Sequence, residues 1–395
     1  MIYRFGKYSL DPSKYLLKHG DKEIFVEPQV FDVLKFLIEN RERVVSKDDL
    51  IEAVWDGRIV SDATLSSRIS AARHAVSDTG ETQAVIRTMP RRGFRFVAKL
   101  EPADLDAAPV EGPTKNERRQ RVKFCTSRDG ARLAFATTGN GFPLVRAGHW
   151  LTHLEHDWYS PVWRPFLDEL GEHFQVTRYD QRGNGLSDWS GTVFDLDKFV
   201  EDLEAVVEAA GLETFALYGT SQGAPISIAY TIRNPRRVSH LILHGGYVQG
   251  RLVRGSVEER EQGEALLTLI RHGWGKLGSP FLMAFSSMYI PGGTTEQIDS
   301  LVELQRQTTT PENAANIRAT VDTFDVNHLL ESIAVPTLVV HARNDGVQPF
   351  DEGRKLAAGI RNSEFLMLDS VNHVILEHEP AWDELFNGIK NFVLE

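Results

Sequence analysis

Phe215-Ala216-Leu217-Tyr218-Gly219-Thr220-Ser221-Gln222-Gly223 is an apolar run that ends in a Gly-x-Ser-x-Gly turn. Ile226, Ile228 and Ala229 follow in a segment that reads as a helix. A strand-to-helix turn this tight crowds the backbone, so small residues must flank the serine, whose hydroxyl is then presented above the strand end. Five residues alone occur by chance. The strand before and the helix after give the pattern its weight.

A serine nucleophile needs a base, and the base needs an acid to hold its tautomer and stabilise its cation. Asp345 follows the strand-like run Thr337–His341, and His373 follows Glu364–Leu368 in Asp369-Ser370-Val371-Asn372-His373. Each sits just past a strand end, in the chain order serine, acid, histidine. The blander reading makes Asp345 a turn residue and His373 a surface histidine, which would require three coincidences in the right order.

Working outward, strand-like runs alternate with helical ones: Val122–Thr126, Arg132–Thr138, Leu144–Ala147, Gln175–Tyr179, Phe215–Tyr218, Leu241–His244, Thr337–His341 and Glu364–Leu368. This rhythm predicts a doubly wound, mostly parallel sheet with helices on both faces. Residues from about Val248 to Val326 break it with aromatic-rich helical segments, placed to form a lid. There Trp274, Phe281, Phe285, Met288 and Tyr289 are candidates for an apolar ligand site, with packing inside the lid the equal alternative.

From about Val122 to Glu395 the chain resembles the α/β-hydrolase family. Tyr179-Asp180-Gln181-Arg182-Gly183-Asn184-Gly185-Leu186-Ser187-Asp188 resembles that family's turn after its fourth strand. The departure lies at Arg146-Ala147-Gly148-His149-Trp150, where family members often carry His-Gly. The resemblance implies an oxyanion hole with the Gln222 amide as one donor and His149 or Trp150 as the second. His149, His153 and His156 fall at helical spacing beside Glu155 and Asp157. Spacing alone is weak support for a metal, and a serine hydrolase needs none. These residues are expected to line the pocket entrance, His153 among them, or to cap a helix. Neither metal nor cofactor is expected.

The 395 residues exceed what one compact core usually takes, so two domains are expected. Glu101 to Arg121 holds three prolines and almost no large apolar residues, and reads as a solvated linker between domains at 1–100 and 122–395. Through Lys99 there are 17 basic and 14 acidic residues, against 27 and 41 in the remainder of a chain with net charge −11. A mildly basic head on an acidic body suggests different partners for the two parts. The single cysteine, Cys125, fits a reducing compartment. With no apolar stretch near the roughly 20 residues of a membrane span and no signal-peptide core, a cytoplasmic protein is expected.

The head opens with strand-like runs, Tyr3–Leu10, Tyr15–Lys18 and Glu23–Val26, then Val30, Phe31, Leu34, Leu37 and Ile38 at helical spacing. Ser46-Lys47-Asp48-Asp49 can cap the next helix. A third begins near Ser61-Asp62 with Leu65, Ile69, Ala72 and Val76 on one face, and a hairpin, Val85–Thr88 and Phe94–Ala98, closes the domain. Val45-Ser46-Lys47-Asp48-Asp49-Leu50, Val54-Trp55, Ser61-Asp62-Ala63-Thr64-Leu65 and Thr88-Met89-Pro90-Arg91-Arg92-Gly93-Phe94-Arg95-Phe96 resemble the OmpR/PhoB-type (CadC-like) winged helix. That resemblance implies double-stranded DNA as a partner. Opposite the apolar stripe stand Ser67, Ser70, Ala71 and His74, flanked by Thr64, Arg68 and Arg73, suited to a major groove. Arg91, Arg92 and Arg95 in the hairpin suit a neighbouring groove or phosphates. For any one arginine, a solvated surface charge is as good a reading.

Together these features predict a homodimeric one-component transcriptional regulator. Its hydrolase-type domain would sense, and slowly cleave, a small apolar ester or lactone. A serine esterase with an accessory winged helix is the alternative, because a fold alone does not fix function.

Overall fold

The computed structural model describes residues 2–12, 16–20, 22–24, 26, 28–55, 62–79, 82–89, 92–100, 120–276 and 278–395. The chain divides into two compact units, Met1–Thr114 and Lys115–Glu395. Most of the expected linker, including all three of its prolines, lies outside the described residues.

The first unit begins with an antiparallel four-stranded sheet, β1 (Tyr3–Phe5), β2 (Tyr8–Asp11), β3 (Leu16–His19) and β4 (Lys22–Ile24). The run Tyr3–Leu10 is therefore two strands, not one. Gly6 at φ 57° turns the chain between them, a conformation glycine adopts without a Cβ clash. Helices α1 (Pro28–Glu39), α2 (Lys47–Trp55) and α3 (Asp62–Ala75) follow, then the hairpin β5 (Ile86–Met89) and β6 (Gly93–Phe96). Ser46 caps α2: its hydroxyl accepts from the Asp49 amide at 3.0 Å, and Asp49 accepts from the Ser46 amide at 3.0 Å. Phe31, Leu34, Leu37, Leu65, Ile69, Ala72, Val76, Phe94 and Phe96 share one core, so the helical stripe and both hairpin aromatics face inward. Two residues hold the hairpin. Buried Asp78 accepts from the amides of Ala84, Val85 and Ile86, and Gly93 leaves no room for a Cβ against Val45 O.

The second unit is an eight-stranded sheet in the order β14-β13-β12-β11-β9-β10-β8-β7. Its strands are β7 (Lys123–Thr126), β8 (Arg132–Thr138), β9 (Phe142–Arg146), β10 (Phe174–Tyr179), β11 (Phe215–Thr220), β12 (Val238–His244), β13 (Thr337–Ala342) and β14 (Ser363–Leu368). β9 to β14 run parallel, and β8 and β7 join antiparallel at one edge. The flanking helices are α4 (Leu154–Tyr159), α5 (Trp163–His173), α6 (Leu196–Ala209), α7 (Gly223–Arg233), α13 (Phe350–Gly359) and α14 (Pro380–Leu394). Between β12 and β13 come α8 (Arg251–Arg254), α9 (Val257–Gly273), α10 (Pro280–Tyr289), α11 (Thr295–Thr308) and α12 (Pro311–Val321). Every residue of β11 and β13 is buried, as an all-parallel centre covered on both faces requires. The strand order reverses between β9 and β11, and their carboxyl ends open the crevice in which such sheets place functional groups. No described helix is long and apolar enough to cross a membrane.

Candidate active site and DNA-reading surface

Ser221 sits at the turn from β11 into α7 with φ 55°, in the left-handed region that a residue with a Cβ normally avoids. Strain of this kind costs roughly 1–3 kcal/mol and persists where the surroundings enforce it. They do so here: a Cβ on Gly219 would stand 2.5 Å from Gly223 O and Ser227 Oγ, so only glycine fits beneath the serine. Gln222 caps α7, so its amide heads the helix without an intrahelical acceptor.

His373 Nδ1 lies 2.6 Å from Asp345 Oδ2, with both side chains sealed from solvent. Asp345 Oδ1 accepts from the amides of Val347 and Gln348 at 2.7 and 3.0 Å. Burial pushes this carboxyl up, but the His373 imidazole and the Gln348 amide outweigh it and hold the acid below its ordinary value. Asp345 is thus an anion that fixes the ring through Nδ1. Nε2 is buried without a hydrogen-bond partner, on the side away from the acid. The main chain holds the ring too, since the His373 amide donates to Tyr289 O at 2.8 Å. This arrangement can take a proton from a serine hydroxyl and pass it to a leaving group.

The loop after β9 passes over the start of α7, where a Cβ on Gly223 would come 3.1 Å from Gly148 O. His149 and Trp150 are both buried. The His149 ring is tied by Nδ1 to Trp150 O at 3.0 Å and packs 5.0 Å from Trp163. Burial, then the nearby Arg146 cation, keep His149 neutral well below its ordinary range. Arg146 itself is buried with its guanidinium 4.4 Å above the Trp163 ring. Burial lowers its pKa to about 10.

A cavity of about 30 Å³ is lined by Trp150, Leu151, Trp163, Tyr289, Leu301, Leu304, Gln305 and Val374, the residue after His373. Of the aromatic candidates, only Tyr289 lines it. Trp274 and Phe285 pack edge-to-face around Trp150 at 6.0 and 6.4 Å, and Phe281 packs on Phe285. Met288 is 40% exposed. His153 lies in a separate open groove with His156 and Tyr159, and caps α4 by accepting from the His156 amide at 3.2 Å. His149 precedes that helix, so the three histidines do not share its face. Among the described residues, no group of three or more histidine, cysteine or acidic side chains could hold a metal.

In the first unit, Ser70, His74 and Arg92 are exposed. Arg73 bonds Ile86 O at 2.9 Å and Thr88 Oγ1 at 2.8 Å, and Arg95 donates to Arg41 O at 3.1 Å. Both side chains therefore brace the domain. Arg68 is half-buried. Arg91 and the side chains of Thr64 and Ser67 lie outside the described residues.

A serine on a strained strand-to-helix turn, with an acid-oriented histidine above the same sheet edge, defines a hydrolase-type domain. Beside it in the chain is a winged-helix reader. Residues 154–380 match the model of the alpha/beta hydrolase fold family, to which the chain belongs. Residues 21–96 match that of the transcriptional regulatory protein, C terminal, family. The chain is 27% identical over 271 residues to the AB hydrolase superfamily protein YisY of Bacillus subtilis, covering 63% of this chain and 91% of that one. Over 100 residues it is 30% identical to the transcriptional activator CadC of Escherichia coli, covering 25% of this chain and 20% of CadC. An esterase from Exiguobacterium antarcticum superposes with TM-score 0.60 at 20% identity, over 70% of this chain and all of that one. The protein is thus a DNA-binding regulator domain fused to an α/β hydrolase.

Proposed function

We propose that the protein is a one-component transcriptional regulator whose hydrolase domain binds a small ester or lactone and cleaves it slowly. The observation that carries this reading is the buried Asp345–His373 pair together with the strained Ser221 turn, in a chain that also holds a DNA reader. Ser221 Oγ attacks the acyl carbon while its proton passes to His373 Nε2. The carbon–oxygen bond to the leaving alcohol then breaks as that alcohol takes the proton. Water, activated by the same nitrogen, releases the acid and restores the serine. In a lactone the leaving alcohol stays attached, and the product is a hydroxy acid. The amides of Gln222 and of His149 or Trp150 receive the oxyanion.

Binding of such a ligand and affinity for DNA are reciprocally linked if the domain is a sensor. Hydrolysis then resets the signal. A single winged helix reads a short site, so two chains pair to gain affinity and spacing specificity. A strictly monomeric mass, free and on DNA, contradicts the pairing. The second reading, a working esterase with an accessory winged helix, is favoured by the presence of a serine, an acid and a histidine in the chain order such a triad takes. Gel-shift titration of the full-length protein on its own promoter, alongside ester hydrolysis by the same sample, separates the two. Promoter binding that shifts with ligand supports the sensor, and rapid turnover with no DNA response supports the esterase.

A further inference from the structure

Asp345 is flanked by two histidines, and only His373 belongs to the proposed triad. The other, His341, lies near the end of β13, wholly buried, with Nε2 3.7 Å from Asp345 Oδ2. Its closest polar contact is with a different residue. Nε2 is 3.1 Å from Gln348 O, and because a carbonyl only accepts, Nε2 carries the ring proton and donates. Nδ1 is then the bare nitrogen, buried without a hydrogen-bond partner. Burial holds the ring below its ordinary pKa, so the imidazole is neutral. Packing from α13 fixes its pose. A Cβ on Gly353 would stand 2.5 Å from His341 Nδ1, and the Phe350 ring meets the imidazole edge-on at 5.9 Å.

Gln348 links this ring to the acid. Its carbonyl accepts from His341, while its own amide donates to Asp345 Oδ1 at 3.0 Å, beside the Val347 amide at 2.7 Å. With Oδ1 held in this way, Oδ2 is left to meet His373 Nδ1 at 2.6 Å. The Nε2–H dipole of His341 also turns its positive end towards Oδ2, in a sealed site where little solvent screens it.

Resting on the reading of Asp345 and His373 as triad members, we infer that His341 is a positioning residue for the reaction. It acts through Gln348 on Asp345, and through Asp345 on the tautomer and aim of the His373 ring. It exchanges no proton with the substrate.

The test uses the full-length protein and p-nitrophenyl acetate. His341→Phe fills the site but cannot donate to Gln348 O. It should lower kcat by about 100-fold, as a small misplacement of a catalytic group does, with KM little changed. His341→Gln, whose terminal amide can donate from the place of Nε2, should recover most of that loss. His341→Asn is too short to do so and should behave like His341→Phe, for which it stands in if the larger ring prevents folding. In an Asp345→Asn background the same substitutions should cost almost nothing more, because the group through which His341 acts is already gone. Equal losses in the two backgrounds overturn the inference, as does full activity in His341→Phe. If the native protein turns over no ester, the hydrolytic reading fails and the His373 tautomer decides the inference. Long-range ¹H–¹⁵N correlation spectra of histidine-labelled protein read it, with the His373 signals assigned by their loss in His373→Asn. The Nδ1–H form in the native protein, a mixture in His341→Phe and its return in His341→Gln uphold the positioning role. An unchanged tautomer in His341→Phe ends it.

Discussion

Asp345 Oδ2 and His373 Nδ1 lie 2.6 Å apart, although one residue lies in the loop after β13 and the other in the loop after β14. The two strands are neighbours in the parallel sheet, in register from Thr337–Ser363 to Ala342–Leu368, so their ends open at the same height. Register thus sets the acid beside the base. Asp345→Asn removes the anion and lets the ring adopt the wrong tautomer. It should lower kcat/KM on a short activated ester by about 10³–10⁴, measured beside an unchanged thermal midpoint for the hydrolase unit.

The glycine under the nucleophile is a steric requirement. Gly219→Ala would force a Cβ to within 2.5 Å of Gly223 O. It should destabilise the fold by about 2–4 kcal/mol, read by urea denaturation. Gly346→Ala is the control: its nearest neighbour would be Met288 O at 3.7 Å, an ordinary contact. A loss in Gly219→Ala no larger than that control removes the steric account.

Arg73 and Arg92 should separate into two classes. Arg73 holds the hairpin through Ile86 O and Thr88 Oγ1, whereas Arg92 is exposed. Arg73→Ala should lower the melting temperature of the winged-helix unit. Arg92→Ala should leave it intact, weaken duplex binding across sequences and reduce the salt slope by about one. Changes at Ser70 or His74 should alter base preference instead, which a binding-site selection would read.

Asp180 gives a pH signature. Buried and accepting from the Leu154 and Leu186 amides, its carboxyl is raised by burial to about 7. Between pH 4 and 7 the folded state keeps a proton that the unfolded state releases. Its contribution to stability is therefore greatest at acid pH and is lost as pH rises towards 7. Asp180→Asn mimics the protonated acid. Its stability relative to the native protein should rise between pH 5 and pH 8 in denaturant titrations read by tryptophan fluorescence. A difference independent of pH contradicts the assignment.

Local signals carried most of the fold and the triad into view. The apolar run into Gly219, the strand alternation and the stripe Leu65/Ile69/Ala72/Val76 are each short-range patterns with a direct steric or burial cause. The cavity was not legible in that way. Its wall comes from the loop after β9, from α5, α10 and α11, and from the residue after His373, and only tertiary packing brings these together. Aromatic content drew attention to Trp274 and Phe285, which support Trp150 from behind, while Gln305 and Trp163 carried no sequence signal. A charged side chain likewise reads as a DNA contact or as a brace until its partner is known, as with Arg73 and Arg95.

The central claim is that the acyl-binding site and the DNA reader are coupled, and linkage makes it measurable in one titration. Promoter affinity of the full-length protein is determined by fluorescence anisotropy with and without saturating γ-butyrolactone, in the native protein and in Ser221→Ala. The account predicts a ligand-dependent change of about five- to 150-fold in affinity, transient in the native protein as the lactone is opened and persistent in Ser221→Ala. Affinity that is the same with and without ligand in both proteins, alongside demonstrated binding of the lactone, would contradict it.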